Sequence, residues 1–278
     1  MKLFNKAAII GVGLIGGSIG LSIKKKKLAS RVIGIGRHKN KINSAIARGA
    51  IDAGFFDISA VSQADLVIIA TPVNSIIQFG TKIAPLIKPG TLVTDTGSTK
   101  KSVVKALEGI LPNFVGSHPL AGSEKQGVIN ARADLFDGSL CVLTPTKKTP
   151  KNALSKVKKL WIDLGAKLIL LSPAEHDKLV SCISHLPHVV AFSLIHSIPD
   201  HSLFLASKGL KDATRIADSS VALWRDIFLT NSKNVLDALK KFKGSLSKIE
   251  SAIAHQDIKA LERILNQARQ KRQKLNHK

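Results

Sequence analysis

Carboxylates are scarce in this chain: its 278 residues carry 19 Asp and Glu against 42 Lys and Arg, a formal charge of +23. A field of that size attracts nucleic acid, anionic membrane and small anionic substrates alike. Aromatic residues are also thin, at 4%, too few for a base-stacking platform. The lysines are spread over every predicted element instead of forming one stripe. A basic surface that steers small anions, with no nucleic-acid partner, is the expectation. Cysteine occurs twice, as the distant Cys141 and Cys182, which suggests neither a disulfide framework nor a structural zinc site and points to a reducing cytoplasm. There is also no internal repeat, no low-complexity linker and no segment resembling an appended regulatory domain.

A long stretch without charge runs from Ala7 to Ile23, flanked by Lys2, Lys6 and Lys24 to Lys27, with Gly-x-x-x-Gly pairs at Gly13/Gly17 and Gly16/Gly20. It imitates a signal sequence or membrane anchor, but it is short for a span and diluted by five glycines. No membrane association is expected. Residues 7–18 read instead as a buried strand running into a Gly-x-Gly-x-x-Gly turn that opens a helix. Gly11 permits the turn, Gly13 lets a pyrophosphate approach the backbone, and Gly16 lets helix and strand pack closely. Leu14 and Ile15 begin the helix whose free N–H groups would face the phosphates.

A second strand, Arg31 to Gly36, follows at the interval of a βαβ unit. Where an NAD-preferring site carries Asp or Glu for the ribose hydroxyls, this chain has Gly36, then Arg37, His38 and Lys39. A missing carboxylate beside cations suits a 2′-phosphate, so NADP is expected over NAD, with NAD possible. The alternative is that Arg37 is merely solvated and the site is indifferent.

Residues 64–72 form a strand apolar on both faces, ending at Thr71-Pro72. Residues 91–100 form another, ending in a polar turn that starts a helix. Ser98 lies in that turn; a serine there is ordinarily only an N-cap. The run Asn113 to Gly116 places His118 at the same edge of the sheet, where open α/β sheets bind ligands and where an imidazole can accept a proton near neutral pH. A solvated loop histidine is the competing reading. Residues 139–144, a charged helix over 151–164 and residues 166–171 complete an α/β, doubly wound, Rossmann-like sheet over residues 1–172. Beyond Ser172-Pro173 the periodicity is helical, giving an all-α domain over 173–278. Its first helix carries Ser184-His185-Leu186-Pro187-His188. The histidines share a face at i and i+3, Pro187 should bend the axis, and no carboxylate or thiol cluster accompanies them to bind a metal. Val235, Leu239, Phe242, Leu246, Ile249 and Ile253 form a narrow apolar seam suited to helix packing.

Taken together the chain resembles the prephenate and arogenate dehydrogenases of tyrosine biosynthesis. The resemblance rests on the glycine fingerprint, residues 95–100, the stretch His118 to Gly127, residues 184–188, Lys211 to Ala217 and Trp224-Arg225-Asp226, in the family's order. It implies that His118 accepts the proton of the substrate's ring hydroxyl and that Ser98 orients that hydroxyl. It also implies that His188 and Arg215 face the carboxylates of a small dicarboxylate substrate. Ser184, Glu124 and Asp212 match the substrate-side pattern as well, and a homodimer through the helical domain is implied. Two departures bear on the substrate's far end: only Gly209 stands where the family commonly has more glycines, and Ala213 replaces a common aromatic.

The expected function is therefore NADP-preferring oxidative decarboxylation of prephenate to 4-hydroxyphenylpyruvate, or of L-arogenate to L-tyrosine. One alternative is a β-hydroxyacid-dehydrogenase-like reductase of the same layout, using Lys178. Another is a non-catalytic basic protein that binds nucleotides or nucleic acid.

Overall fold

A computed structural model of the chain describes residues 2–121 and 127–275. Contacts divide it into two compact units, Met1–Asn231 and Ser232–Lys278. The long uncharged stretch near the start is split by Gly11 to Gly13 into a strand, β1 (Phe4–Ile10), and a helix, α1 (Leu14–Lys25). Ala7 to Ile10 are buried because β1 lies between two other strands and is covered on both faces.

The chain then alternates through β2 (Ala29–Ile35), α2 (Lys39–Ala47), β3 (Ala53–Phe55), β4 (Leu66–Ile69), α3 (Val73–Ile83), β5 (Leu92–Asp95), α4 (Lys101–Leu107) and β6 (Phe114–Pro119). After it come β7 (Leu140–Thr144), α5 (Lys151–Asp163) and β8 (Lys167–Leu170). The eight-stranded sheet has the order β3-β2-β1-β4-β5-β6-β7-β8. Its pairings are parallel except β6 with β7, which is antiparallel. The order reverses at β1 and β4, opening a crevice at the carboxyl ends of those strands, the binding edge of a doubly wound sheet.

Each face of the sheet has its own core. On one, Ile19, Ile23, Val157 and Trp161 pack with Phe136, whose ring meets Trp161 edge-on at 5.4 Å. On the other, Ile76, Ile83, Val103 and Leu107 close over the sheet. Burial of each such side chain contributes about 1.5–3 kcal/mol, which fixes the strand ends that carry the site.

Beyond β8 the described residues are helical. Ser172 and Glu175 form a capping box that starts α6 (Pro173–Val180). A turn of π-helix, Ser181–His185, leads into α7 (Leu186–Ser197). The irregularity expected at Pro187 thus takes the form of a widened turn just before it, which accommodates a residue with no N–H to donate. Residues 173–197 are long and apolar enough to span a bilayer, but Asp177 and His176 tie the stretch by hydrogen bonds to α4 and β6. Two further helices, α8 (Lys208–Thr214) and α9 (Val221–Thr230), end the first unit.

The second unit is a pair of helices in contact, α10 (Ser232–Ala254) and α11 (Ile258–Gln273). Gln256 takes a left-handed backbone (φ 52°), and the Asp257 carboxylate accepts from Ala260 N at 2.9 Å to cap α11. The seam read from the sequence lies on α10, and in the single chain its members Leu246 and Ile253 remain exposed.

Candidate active site

At the β1–α1 turn Gly11 has φ 93°, and a Cβ there would stand 2.5 Å from the Ala70 carbonyl oxygen. At Gly16 a Cβ would collide with the carbonyl of Gly11. Both positions therefore require glycine. Gly13 is the N-cap of α1, with open space where a Cβ would be and no side-chain cap on the helix. The first N–H groups of α1 are thus left to an outside acceptor. They adjoin a cavity of about 530 Å³ lined by Gly13, Leu14, Ile15, Thr71 and Pro72. The Thr71 hydroxyl is buried with no hydrogen-bond partner. An unobstructed backbone, an uncapped helix and an orphan hydroxyl fit a dinucleotide. Arg37 and His38 follow β2, exposed, and line neither this cavity nor the next.

The loop after β5 and the end of β6 are locked together by buried polar groups. Lys100 is wholly buried, paired with Asp95, and donates to the Ser117 carbonyl at 2.8 Å. Asp95 accepts from the backbone N–H groups of Gly97 (2.8 Å) and Ser117 (3.2 Å). Ser98, on the loop after β5, and His118, near the end of β6, therefore sit on segments stapled to one another. Ser98 does not cap α4. Asp177, from α6, accepts from Lys100 N at 2.7 Å and Lys101 N at 3.0 Å, satisfying the helix start from a distant element. Ser98 lines the cavity instead.

The partly buried His118 ring has its Nδ1 2.8 Å from His176 Nε2, and His176 Nδ1 lies 2.8 Å from Asp177 Oδ1. Burial, and then the charges of His176, Lys100 and His185, hold the His118 imidazole well below its ordinary pKa. Burial also lowers His176, opposed by its hydrogen bond to Asp177. For Asp177 burial works in the raising direction. The hydrogen bonds from His176, Lys100 and Lys101 outweigh it and keep the carboxylate below its ordinary value.

Ser98 and His118 also form part of the wall of a second cavity, about 480 Å³, which they share with Ser184, His185, His188 and Arg215. His188 Nδ1 is 3.0 Å from the Ser184 carbonyl, and its ring stacks on Trp224 at 3.4 Å and 22°. Burial lowers His188, partly offset by that hydrogen bond. His185 Nδ1 accepts from the Asn231 amide at 3.2 Å, and burial pushes its pKa down to about 4. Among the described residues no cluster of three metal-ligating side chains occurs. Asp212 and Lys178 are exposed and line neither cavity. Glu124 lies outside the described residues.

Sequence reasoning assigned no role to Lys100, His176 or Asp177. A signal existed for the last: Asp177, Ser181, Ser184 and His188 recur at helical spacing, a polar stripe on an otherwise apolar pair of helices.

Residues 19–170 match the family model described as prephenate dehydrogenase, nucleotide-binding domain, and residues 172–267 the model described as prephenate dehydrogenase, dimerization domain. A prephenate dehydrogenase of Bacillus subtilis (strain 168) is 41% identical over 274 residues, covering 94% of this chain and 73% of that one. The crystal structure of prephenate dehydrogenase from A. aeolicus, in complex with hydroxyphenyl propionate and NAD+, superimposes with a TM-score of 0.93 at 37% identity over 98% of each chain. Synechocystis arogenate dehydrogenase gives 0.83 at 29% identity over 97% of this chain and 99% of that one.

Proposed function

The chain belongs to the prephenate dehydrogenase family, and on that premise we propose that it oxidatively decarboxylates prephenate or L-arogenate in the cytoplasm, with NADP preferred over NAD. Family membership makes it an oxidoreductase of tyrosine biosynthesis that uses a nicotinamide cofactor. The observation that carries the reading is the position of His118 on the wall shared by a nucleotide-side cavity and a cavity bearing Arg215 and His188.

In this reading Gly11, Gly13, Leu14, Ile15 and Gly16 hold the pyrophosphate, Thr71 and Pro72 flank the nicotinamide end, and Arg37 with His38 meets the 2′-phosphate. Bound there, the nicotinamide supplies the acceptor for hydride leaving the carbinol carbon. His118 takes the hydroxyl proton as the O–H bond breaks, and Ser98 orients that hydroxyl. The bond from ring to carboxylate then breaks, and its electron pair moves through the ring to the new carbonyl oxygen. That oxygen takes back the proton, and carbon dioxide leaves an aromatic ring. Arg215, whose guanidinium offers a planar fork, and His188 hold the carboxylates, with Ser184 beside them. Residues 1–172 form the dinucleotide-binding domain and 173–278 the domain through which two copies pair. Likeness to an arogenate dehydrogenase favours including L-arogenate.

The test crosses both substrates with both nicotinamides and follows reduced cofactor by absorbance. Turnover of at least one substrate, with a higher kcat/KM for NADP, is expected. His118→Asn should lose about 10²–10⁴-fold in kcat while still binding cofactor. Full turnover by that variant would refute the assignment of the base.

A further inference from the structure

We propose that His176 and Asp177 are positioning residues for His118: they fix its resting proton on Nδ1, leave Nε2 bare as the accepting nitrogen, and hold the imidazolium that forms. This deepens the reading above and rests on it for the identity of the proton donor.

The assignment follows from counting donors along one chain of contacts. An ionised carboxylate only accepts, so across the 2.8 Å contact between Asp177 and His176 the proton belongs to His176 Nδ1. A neutral imidazole carries one N–H, so His176 Nε2 is an acceptor. Across its own 2.8 Å contact the proton must then belong to His118 Nδ1. That leaves the second ring nitrogen of His118 without a proton, in a side chain that lines both cavities.

Double protonation of His176 is opposed by its complete burial and by Lys100. The charged and titratable groups around the pair come from every packed element: Lys100 and Asp95 from the β5–α4 segment, His185 from the π turn, and Asp177 from α6. Asp177 is itself immobilised by Lys100 N and Lys101 N, and the Asn231 amide donates to its carbonyl at 2.7 Å. The chain therefore ends in a fixed anion, as an orienting group requires. During reaction only one proton changes atoms, from the substrate oxygen to His118 Nε2. The Nδ1 proton stays, and the new positive charge is spread toward Asp177.

Nitrogen-15 NMR of histidine-labelled protein, without substrate, reads the tautomer directly. The expected result between about pH 6 and 8 is His118 protonated at Nδ1 and bare at Nε2. Asp177→Asn keeps the shape but removes the anion, and it turns one of the two oxygens that accept from Lys100, Lys101 and His176 into a donor. It should weaken the preference of the His118 proton for Nδ1 and lower kcat on the order of 10²–10⁴-fold, with the KM for NADP unchanged. His176→Gln, which retains a carbonyl acceptor, should keep at least about 10-fold more activity than His176→Leu. The proposal is overturned by a wild-type His118 carrying its proton on Nε2, or by Asp177→Asn turning over at the wild-type rate with the same pH profile. If the wild type reduces neither nicotinamide with either substrate, the functional reading falls, while the NMR arm still decides the tautomer.

Discussion

Lys100 illustrates how a single side chain can be indispensable without touching the cleft. Its ammonium is fully buried against Asp95 and the Ser117 carbonyl, so removing one partner strands a charge in a medium of low polarity. Lys100→Met is expected to destabilise the fold by about 3–5 kcal/mol, whereas Lys100→Met combined with Asp95→Asn should cost less than either change summed. Urea unfolding of the three variants checks this; additive losses would refute the coupling. At this scale the sequence was uneven in what it disclosed. His118 and Ser98 were legible because they end strands at a predictable edge of a parallel sheet. His176 was not, because its partner His118 is 58 residues away and no local spacing encodes a contact made by tertiary packing.

Among the elements, the π turn has the most distinctive energetics. It holds His185 neutral and buried, with a pKa near 4 where 6.5 is ordinary. Below pH 6.5 the unfolded chain binds a proton at this residue and the folded chain does not, so stability is lost as the pH falls toward 4. The loss attributable to His185 is roughly 3 kcal/mol, and the lowered values of His118, His176 and His188 act with the same sign. The urea midpoint should therefore drop between pH 7 and pH 4.5, and less so in His185→Gln; equal slopes would refute the attribution. The larger elements were readable from hydrophobic period alone. The three-residue β3 was too short to show a period, and the antiparallel entry of β7 beside β6 depends on the path of the connecting chain, which periodicity does not report.

For the molecule as a whole, the glycine turn, the doubly wound sheet and the helical C-terminal region were all anticipated, but the strand order was not. The apolar seam was anticipated too, but a helix-packing pattern in sequence does not say whether its partner is in the same chain. Leu246 and Ile253 are 53% and 61% exposed in one copy, which on the proposed reading is the surface a second copy covers. Replacing both with Asp is expected to convert a dimer to monomers in sedimentation velocity; an unchanged dimer would place the interface elsewhere.

Asp177 holds two offices at once, finishing the start of α4 and anchoring the ring that faces the base. Heat tolerance and turnover are thereby tied to one codon. A directed-evolution campaign that relaxes this position for speed will meet its penalty in shelf life, and compensating changes must repair a helix and a tautomer together.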